Sequence, residues 1–323
     1  MNFAARTVGL GLTLAYRTRE WLRHRRQPPR TGAPAAPPAP TFLGIEPTNI
    51  CNANCVFCGY QYQERPKTTM SFEAFKTVID QYAALGGGRL SLTPMVGDAL
   101  IDPQLVDKIT YASQFPQLRP IFLYTNAILL TREKFEQLVD AGVESLAISM
   151  TSFDGEEYRR IYRSPAYPKI LQHLYAIAES DRFPRCEITI NLRTTKFLPT
   201  RQPDYRRLAR LGYKFERTTF FDNWSNRIRP EDLPAFMYVR PQRAKTRPCH
   251  ILYGGPTLLA NGTLTACGCR DLIGDSELVL GHISEVSLGQ AWQEGKMEAL
   301  RQRFLDGDPP DVCRDCRHYV PID

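Results

Sequence analysis

Three cysteines spaced Cys51-x3-Cys55-x2-Cys58 follow closely on an apolar strand pattern, Phe42 to Glu46. Thiolates at this spacing are metal ligands. A structural zinc site takes four protein ligands, and a 4Fe–4S cluster held wholly by protein takes four cysteines. Three leave one iron open to a further ligand, which lets a cluster do chemistry beyond storing an electron. A structural zinc knuckle is the competing reading. Against it, no fourth ligand lies near the three, and a strand feeds the loop.

Five more cysteines lie in the last 75 residues: Cys249, Cys267, Cys269, Cys313 and Cys316. Alternating residues around Asn261-Gly262 form a strong hairpin signal, which delivers Cys267 just beyond the second strand. Cys249 precedes this hairpin, and Cys313-x2-Cys316 follows a helical pattern with Trp292, Met297 and Leu300. Four cysteines suffice for a fully ligated 4Fe–4S cluster. Zinc on the same four is the alternative, since both metals accept thiolate tetrahedra. Cys186 opens a strand and reads as a core thiol.

The segment Cys51-Asn52-Ala53-Asn54-Cys55-Val56-Phe57-Cys58 resembles the cluster loop of the radical SAM superfamily, including the aromatic Phe57 before the last cysteine. The resemblance implies that the open iron takes the amino and carboxylate groups of S-adenosylmethionine, which is split to a 5′-deoxyadenosyl radical. Residues 249 to 316 resemble the shortened SPASM, or twitch, extension, which implies one auxiliary 4Fe–4S cluster on Cys249, Cys267, Cys313 and Cys316 and leaves Cys269 over as a spare ligand or a hydrogen-atom donor. The stretch Thr93 to Leu100 resembles the family's Gly-Gly-Glu-Pro segment, with Gly97 retained, Asp98 in place of Glu and Ala99 in place of Pro. The resemblance gives Asp98 the methionine amino group. Asn126 falls in a Thr-Asn-Ala stretch near the cofactor. Ser149 resembles the first residue of a Ser-x-Asp ribose-contact position, where Thr151 replaces the acid. Arg193 suits the methionine carboxylate, because a guanidinium matches a carboxylate in geometry.

The elements that must hold these residues alternate. Strand patterns cover Phe42–Glu46, Arg89–Thr93, Ile121–Thr125, Ser145–Met150, Cys186–Arg193 and Lys214–Thr219. Between them run helical patterns: one capped by Ser71 and ending near Gly86, one opened by Asp102-Pro103, one from Thr131 to Gly142, and one after Pro168. Six βα units imply a parallel sheet, hence an α/β partial (β/α)6 TIM-like barrel with a small C-terminal α+β iron–sulfur extension. Chemistry then belongs at the carboxyl ends of the strands. The cluster Phe220 to Arg227 reads either as substrate-pocket lining or as a domain joint. The expected division is 1–26, 27–40, 41–235 and 236–323.

Net charge is +7, but residues 1–30 carry seven arginines against Glu20, leaving about +1 for the remaining 293. A near-neutral body argues against nucleic acid as a partner. Residues 1–26 mix apolar residues with arginines, and their uncharged run, Thr7 to Tyr16, is about half the ~20 residues of a membrane span. They read as a basic amphipathic helix, either on an anionic membrane surface or packed on protein. Residues 27–40 form a proline-rich linker. Cysteines clustered at ligand spacing point to a reducing, cytoplasmic setting. The expected activity is radical oxidation or epimerisation of a small-molecule, glycan or lipid-linked substrate, such as a sugar or cyclitol. A flavodoxin- or ferredoxin-type electron donor would serve it. Peptide modification and a non-catalytic metal-binding scaffold are the alternatives.

Overall fold

The structure, a computed structural model, describes residues 35, 37–245, 247–268, 272 and 276–322. The expected N-terminal helix and Cys269 lie outside the described residues. Six strands, β1 (Phe42–Ile45), β2 (Arg89–Ser91), β3 (Ile121–Thr125), β4 (Ser145–Met150), β5 (Glu187–Leu192) and β6 (Lys214–Arg217), pair in parallel in chain order. Helices α1 (Phe72–Ala84), α2 (Leu105–Ser113), α3 (Arg132–Ala141), α4 (Gly155–Tyr162), α5 (Tyr167–Ala178) and α6 (Pro203–Arg210) fill the crossovers. Parallel strands need such connections and are buried by them. Leu43, Ile45, Leu90, Leu123, Ile148 and Ile190 accordingly lose all solvent contact.

Local signals set the helix starts. Ser71 Oγ accepts from Ala74 N at 3.2 Å and Thr131 Oγ1 from Lys134 N at 3.1 Å, each relieving a first-turn N–H. Asp102 acts differently from expectation. It accepts from Gln104 N at 2.9 Å in the turn before α2 and pairs with the buried Lys108 at 2.6 Å. The helix therefore starts later, at Leu105, because Asp102 is drawn into the core by that lysine.

The C-terminal part does not stand apart from this sheet. Strands β7 (Phe220–Phe221) and β8 (Tyr238–Val239) form a small parallel pair. Strands β9 (Thr257–Leu258), β10 (Thr263–Thr265) and β11 (Val279–His282) continue the main sheet beyond β1, in the order β11-β10-β9-β1-β2-β3-β4-β5-β6. The hairpin forecast around Asn261-Gly262 is the β9–β10 turn, and it covers an edge that β1 would otherwise leave unpaired. The approach is close. A Cβ on Gly255 would stand 1.6 Å from Phe42 O.

Helices α7 (Ile251–Gly254), α8 (Leu288–Gln293), α9 (Lys296–Leu305) and α10 (Asp311–Arg314) complete the fold. Buried Arg301 donates to Leu252 O at 3.0 Å and stacks 4.5 Å from the Trp292 ring. Trp292 Nε1 donates to Pro37 O at 2.9 Å, so the end of the proline-rich segment is seated on α8.

Glu46, directly after β1, is the junction. Its carboxylate takes two parallel bonds from Arg65, at 2.7 and 2.9 Å, and also accepts from Val96 N at 3.4 Å and Ala260 N at 3.1 Å. One buried acid thus joins β1, the segment after the cysteine loop, the loop after β2 and the C-terminal hairpin.

Candidate active site

The loop carrying Cys51, Cys55 and Cys58 leaves the carboxyl end of β1. It is pinned from outside: Asn54 N and Val56 N donate to the carbonyls of Tyr162 and Ile161 at 3.3 and 2.9 Å, and Cys58 N closes a turn on Cys55 O at 3.1 Å. Its entry is set by Asn49, whose side chain bonds Pro66 O and Thr68 N, both at 2.8 Å. The three thiols lie close enough for their charges to repel, with Cys55 buried and Cys51 and Cys58 half-buried. Burial pushes the Cys51 thiol up to about 12 and raises Cys55 and Cys58 as well. The Arg193 guanidinium pulls the latter two back. Three such thiols ionise together only when cationic charge arrives, so metal loading here must expel protons.

The other residues expected at this site converge on the same end of the sheet. Gly97 sits at φ +139°, and a Cβ there would lie 2.7 Å from Thr48 O, so only glycine lets the loop after β2 close on the cysteine loop. Asp98 is then delivered inward. Its carboxylate accepts from Leu100 N at 3.1 Å, Asn126 N at 2.8 Å and Thr125 Oγ1 at 2.9 Å, while burial raises its pKa. It thereby orients the end of β3. Asn126 donates to Asn52 Oδ1 at 2.7 Å and reaches Cys51 Sγ at 3.7 Å.

Register places Ser149 of β4 beside Asn191 of β5. Arg193 Nη1 donates to Ser149 Oγ at 2.8 Å and to Asn191 Oδ1 at 3.4 Å, and its guanidinium lies 5.0 Å from the centre of the Phe57 ring. Among the described residues, Arg193 Nε and Thr151 Oγ1 are buried without a hydrogen-bond partner. A buried cation with unused donor capacity beside the thiols fits an anionic ligand on the cluster. Glu157 braces both strand ends, accepting from Ser152 N at 3.0 Å and Thr194 Oγ1 at 2.8 Å.

The four C-terminal cysteines also converge. Cys249 before α7, Cys267 after β10, Cys313 in α10 and Cys316 line one pocket walled by Leu252 and Phe304. Lys245 lies at its rim and donates to Cys316 O at 3.0 Å. Burial lowers its pKa, while charge on Cys316, Cys313 and Cys249 opposes that shift. A fixed cation beside four thiolates fits a cluster with net negative charge.

The model of the radical SAM superfamily matches residues 45–212, more than half of the chain. The chain belongs to that superfamily. A second model, an iron–sulfur cluster-binding domain named SPASM, matches residues 249–317. The cofactors follow. These matches imply a 4Fe–4S cluster that binds S-adenosylmethionine and an auxiliary iron–sulfur cluster; Cys51, Cys55 and Cys58 are the candidate ligands of the first, and Cys249, Cys267, Cys313 and Cys316 of the second. The chain is 29% identical over 150 residues to a GTP 3′,8-cyclase of Stenotrophomonas maltophilia, covering 46% of this chain and 44% of that protein. A second GTP 3′,8-cyclase, of Chlorobaculum tepidum, is 24% identical over 135 residues, covering 41% and 39%. The match thus spans less than half the length of either relative.

In fold, the chain resembles BtrN in complex with AdoMet and 2-DOIA, at 15% identity and a TM-score of 0.58 over 85% of this chain and 92% of that one. It also resembles anSMEcpe with bound AdoMet, at 12% identity and a TM-score of 0.55 over 86% and 89%.

Phe220 to Arg227 is a joint between the two cluster regions. Trp224, Ser225 and Asn226 all have left-handed backbone, at φ 48°, 53° and 66°. This turn aims Trp224 Nε1 at Phe57 O, 3.1 Å away, and lays the indole on Gly59. On its far side Asn223 donates to Asp315 O at 3.3 Å and Asn226 to Asp315 Oδ2 at 2.8 Å. Phe57 adjoins Cys58, and Asp315 lies between Cys313 and Cys316.

Sequence reasoning passed over Glu46, Arg65, Glu157, Lys245 and Thr151 as site residues. Only Thr151 carried a signal, its place at the position of the missing acid.

Proposed function

We propose that this radical SAM enzyme oxidises a sugar, cyclitol or lipid-linked metabolite by removing hydrogen from an unactivated carbon, with the auxiliary cluster as the second electron acceptor. The observation carrying this reading is the Trp224–Asn226 turn, which fastens the cysteine loop at Phe57 to the Cys313–Cys316 segment at Asp315. A rigid link between two cluster sites serves a reaction in which one electron must be handed on.

When bound, the cofactors supply one electron to split S-adenosylmethionine, a carbon radical to take a hydrogen atom from substrate, and an acceptor for the electron left behind. The chain positions and shields. Arg193 offers charge for the methionine carboxylate, held in place by Ser149, Asn191 and the Phe57 ring. Asp98 holds Thr125 and Asn126 against the loop, so that Asn126 meets the environment of Cys51. Thr151 brings an unsatisfied hydroxyl to the position of the family's ribose-contact acid. The fold neighbour BtrN, seen in complex with 2-DOIA, makes that compound one to test, and a flavodoxin- or ferredoxin-type protein is the proposed reductant. Epimerisation would need a hydrogen donor, for which Cys269 is the candidate.

The test is anaerobic reconstitution followed by S-adenosylmethionine, dithionite and a panel of aminocyclitols and sugars including 2-DOIA. Oxidation predicts a substrate lighter by two hydrogens and 5′-deoxyadenosine in equal amount. Product of unchanged mass that has gained solvent deuterium would instead establish epimerisation and overturn the oxidation reading.

A further inference from the structure

The near-neutral average of the body hides one strongly charged face. Residues 196–217 carry seven lysines and arginines against two acids, Asp204 and Glu216. They form the loop after β5, the helix α6 and the edge strand β6. Lys196 and Lys214 are paired with Asp154 and Glu187. Arg206 and Arg217 give their hydrogen bonds to backbone carbonyls, of Thr200 and of Lys196 and Phe197, which fixes the side chains without cancelling charge. Arg201, Arg207 and Arg210 are exposed on the same stretch. Leu208 alone is buried on α6, so this helix presents most of its circumference to solvent.

Three of the six exposed large apolar groups among the described residues, including the two most exposed, lie in this segment. Phe197 is 61% exposed, Leu198 44% and Leu211 41%. Arg217 holds the backbone at Phe197, and the Phe197 ring meets Phe236 at 6.2 Å, so the tip is supported from below. An apolar tip with arginines beside it, Arg217 and Arg206 being tied to the backbone at Phe197 and Thr200, satisfies two demands of a lipid surface at once: the side chains enter the acyl boundary and the guanidinium groups meet phosphates. Nucleic acid would use the same charge but prefers aromatic platforms for its bases, and two of the three exposed groups here are aliphatic.

We propose that this face docks the protein on an anionic phospholipid surface, with Phe197 and Leu198 entering the lipid and Arg201, Arg206, Arg207 and Arg210 contacting headgroup phosphates. The loop after β5 leaves the same end of the sheet as the cysteine loop after β1, so docking turns the mouth of the barrel toward the membrane. That gives a lipid-linked substrate a route to the site. The surface claim itself does not depend on the reaction proposed above, because it is tested without cofactor or turnover.

The experiment is co-sedimentation of the full chain with vesicles of phosphatidylcholine alone or mixed with phosphatidylglycerol. Phe197→Glu with Leu198→Glu, and separately Arg206→Glu with Arg207→Glu, are each expected to weaken binding to the anionic vesicles by roughly ten-fold or more. A Phe197→Trp variant should show blue-shifted emission on the same vesicles and none on phosphatidylcholine. Unchanged binding by both double variants would assign any membrane affinity to the arginines of residues 1–30 and overturn the proposal. So would single-stranded RNA that binds the chain more tightly than the vesicles do, with only the arginine variant affected.

Discussion

Removing Arg65 while keeping Glu46 tests whether this buried pair locks the C-terminal hairpin onto the barrel. The two side chains are 3% and 0% exposed and share two parallel hydrogen bonds. Arg65→Met leaves a carboxylate in the interior with only the Val96 and Ala260 amides to face it. Breaking a buried pair in this way destabilises by about 3–5 kcal/mol. Glu46→Leu strands the guanidinium instead, and it also frees two buried amides at about 1 kcal/mol or more each. The double variant carries neither charge. It should recover about 2–3 kcal/mol relative to the sum of the singles, since residues in direct contact are not additive.

Urea unfolding of the metal-free chain measures these differences, and amide exchange locates them. Ala260 N donates to Glu46, not to Arg65. Its protection should therefore survive Arg65→Met better than Glu46→Leu, and in the latter fall by roughly a hundred-fold, the equivalent of 2–3 kcal/mol. Additive singles, or equal exchange at Ala260 in both, would refute the assignment of Glu46 as the junction.

Three further outcomes follow from the site. Arg193→Met should weaken S-adenosylmethionine binding about ten- to a hundred-fold by calorimetry on the reconstituted protein, as expected for a charged hydrogen-bonding group. Cys313→Ser should lower iron from about eight to about four per chain while 5′-deoxyadenosine formation persists, whereas Cys55→Ala should abolish it. Glu157 titrates below its ordinary value of 4.5: burial pushes it up, but the hydrogen bonds from Ser152, Thr195 and Thr194 outweigh that. Its contribution is thus complete above the unfolded value and lost as pH falls through the lower folded one. The stability advantage of the wild type over Glu157→Gln should be flat near neutrality and shrink in acid; an advantage that grows in acid would contradict the sign.

What the sequence showed was what is local. Strand runs such as Ser145–Met150 and caps such as Ser71 and Thr131 depend on neighbours within a few residues, and they are found where the pattern put them. Four strands, β1, β2, β5 and β6, are shorter than their expected runs. Thr93 was expected inside the second, yet its hydroxyl accepts from Tyr124 N at 3.0 Å, continuing the contact with β3 by side chain after β2 has ended at Ser91. Cysteine spacing identified the first metal site because all three ligands lie within eight residues. The second needed the family resemblance, since Cys249 and Cys316 are brought together only by the closed fold.

Glu46 shows why the remainder was hidden. It reads as the polar end of a strand, and its partners lie 19, 50 and 214 residues away. No periodicity encodes such separations. The turn at Trp224 is hidden for another reason, since left-handed backbone is normally announced by glycine and here three side-chain-bearing residues adopt it in succession. The expected division between 41–235 and 236–323 falls between β7 and β8, and packing runs across it through β9 on β1, Ala260 on Glu46 and Asp315 on Asn226. Each tie ends within a few residues of a cysteine ligand or of the loop that supports one. The two cysteine sites are thus joined by fixed hydrogen bonds, and a truncation before Cys249 would uncover the edge of β1 as well as remove the C-terminal cysteines.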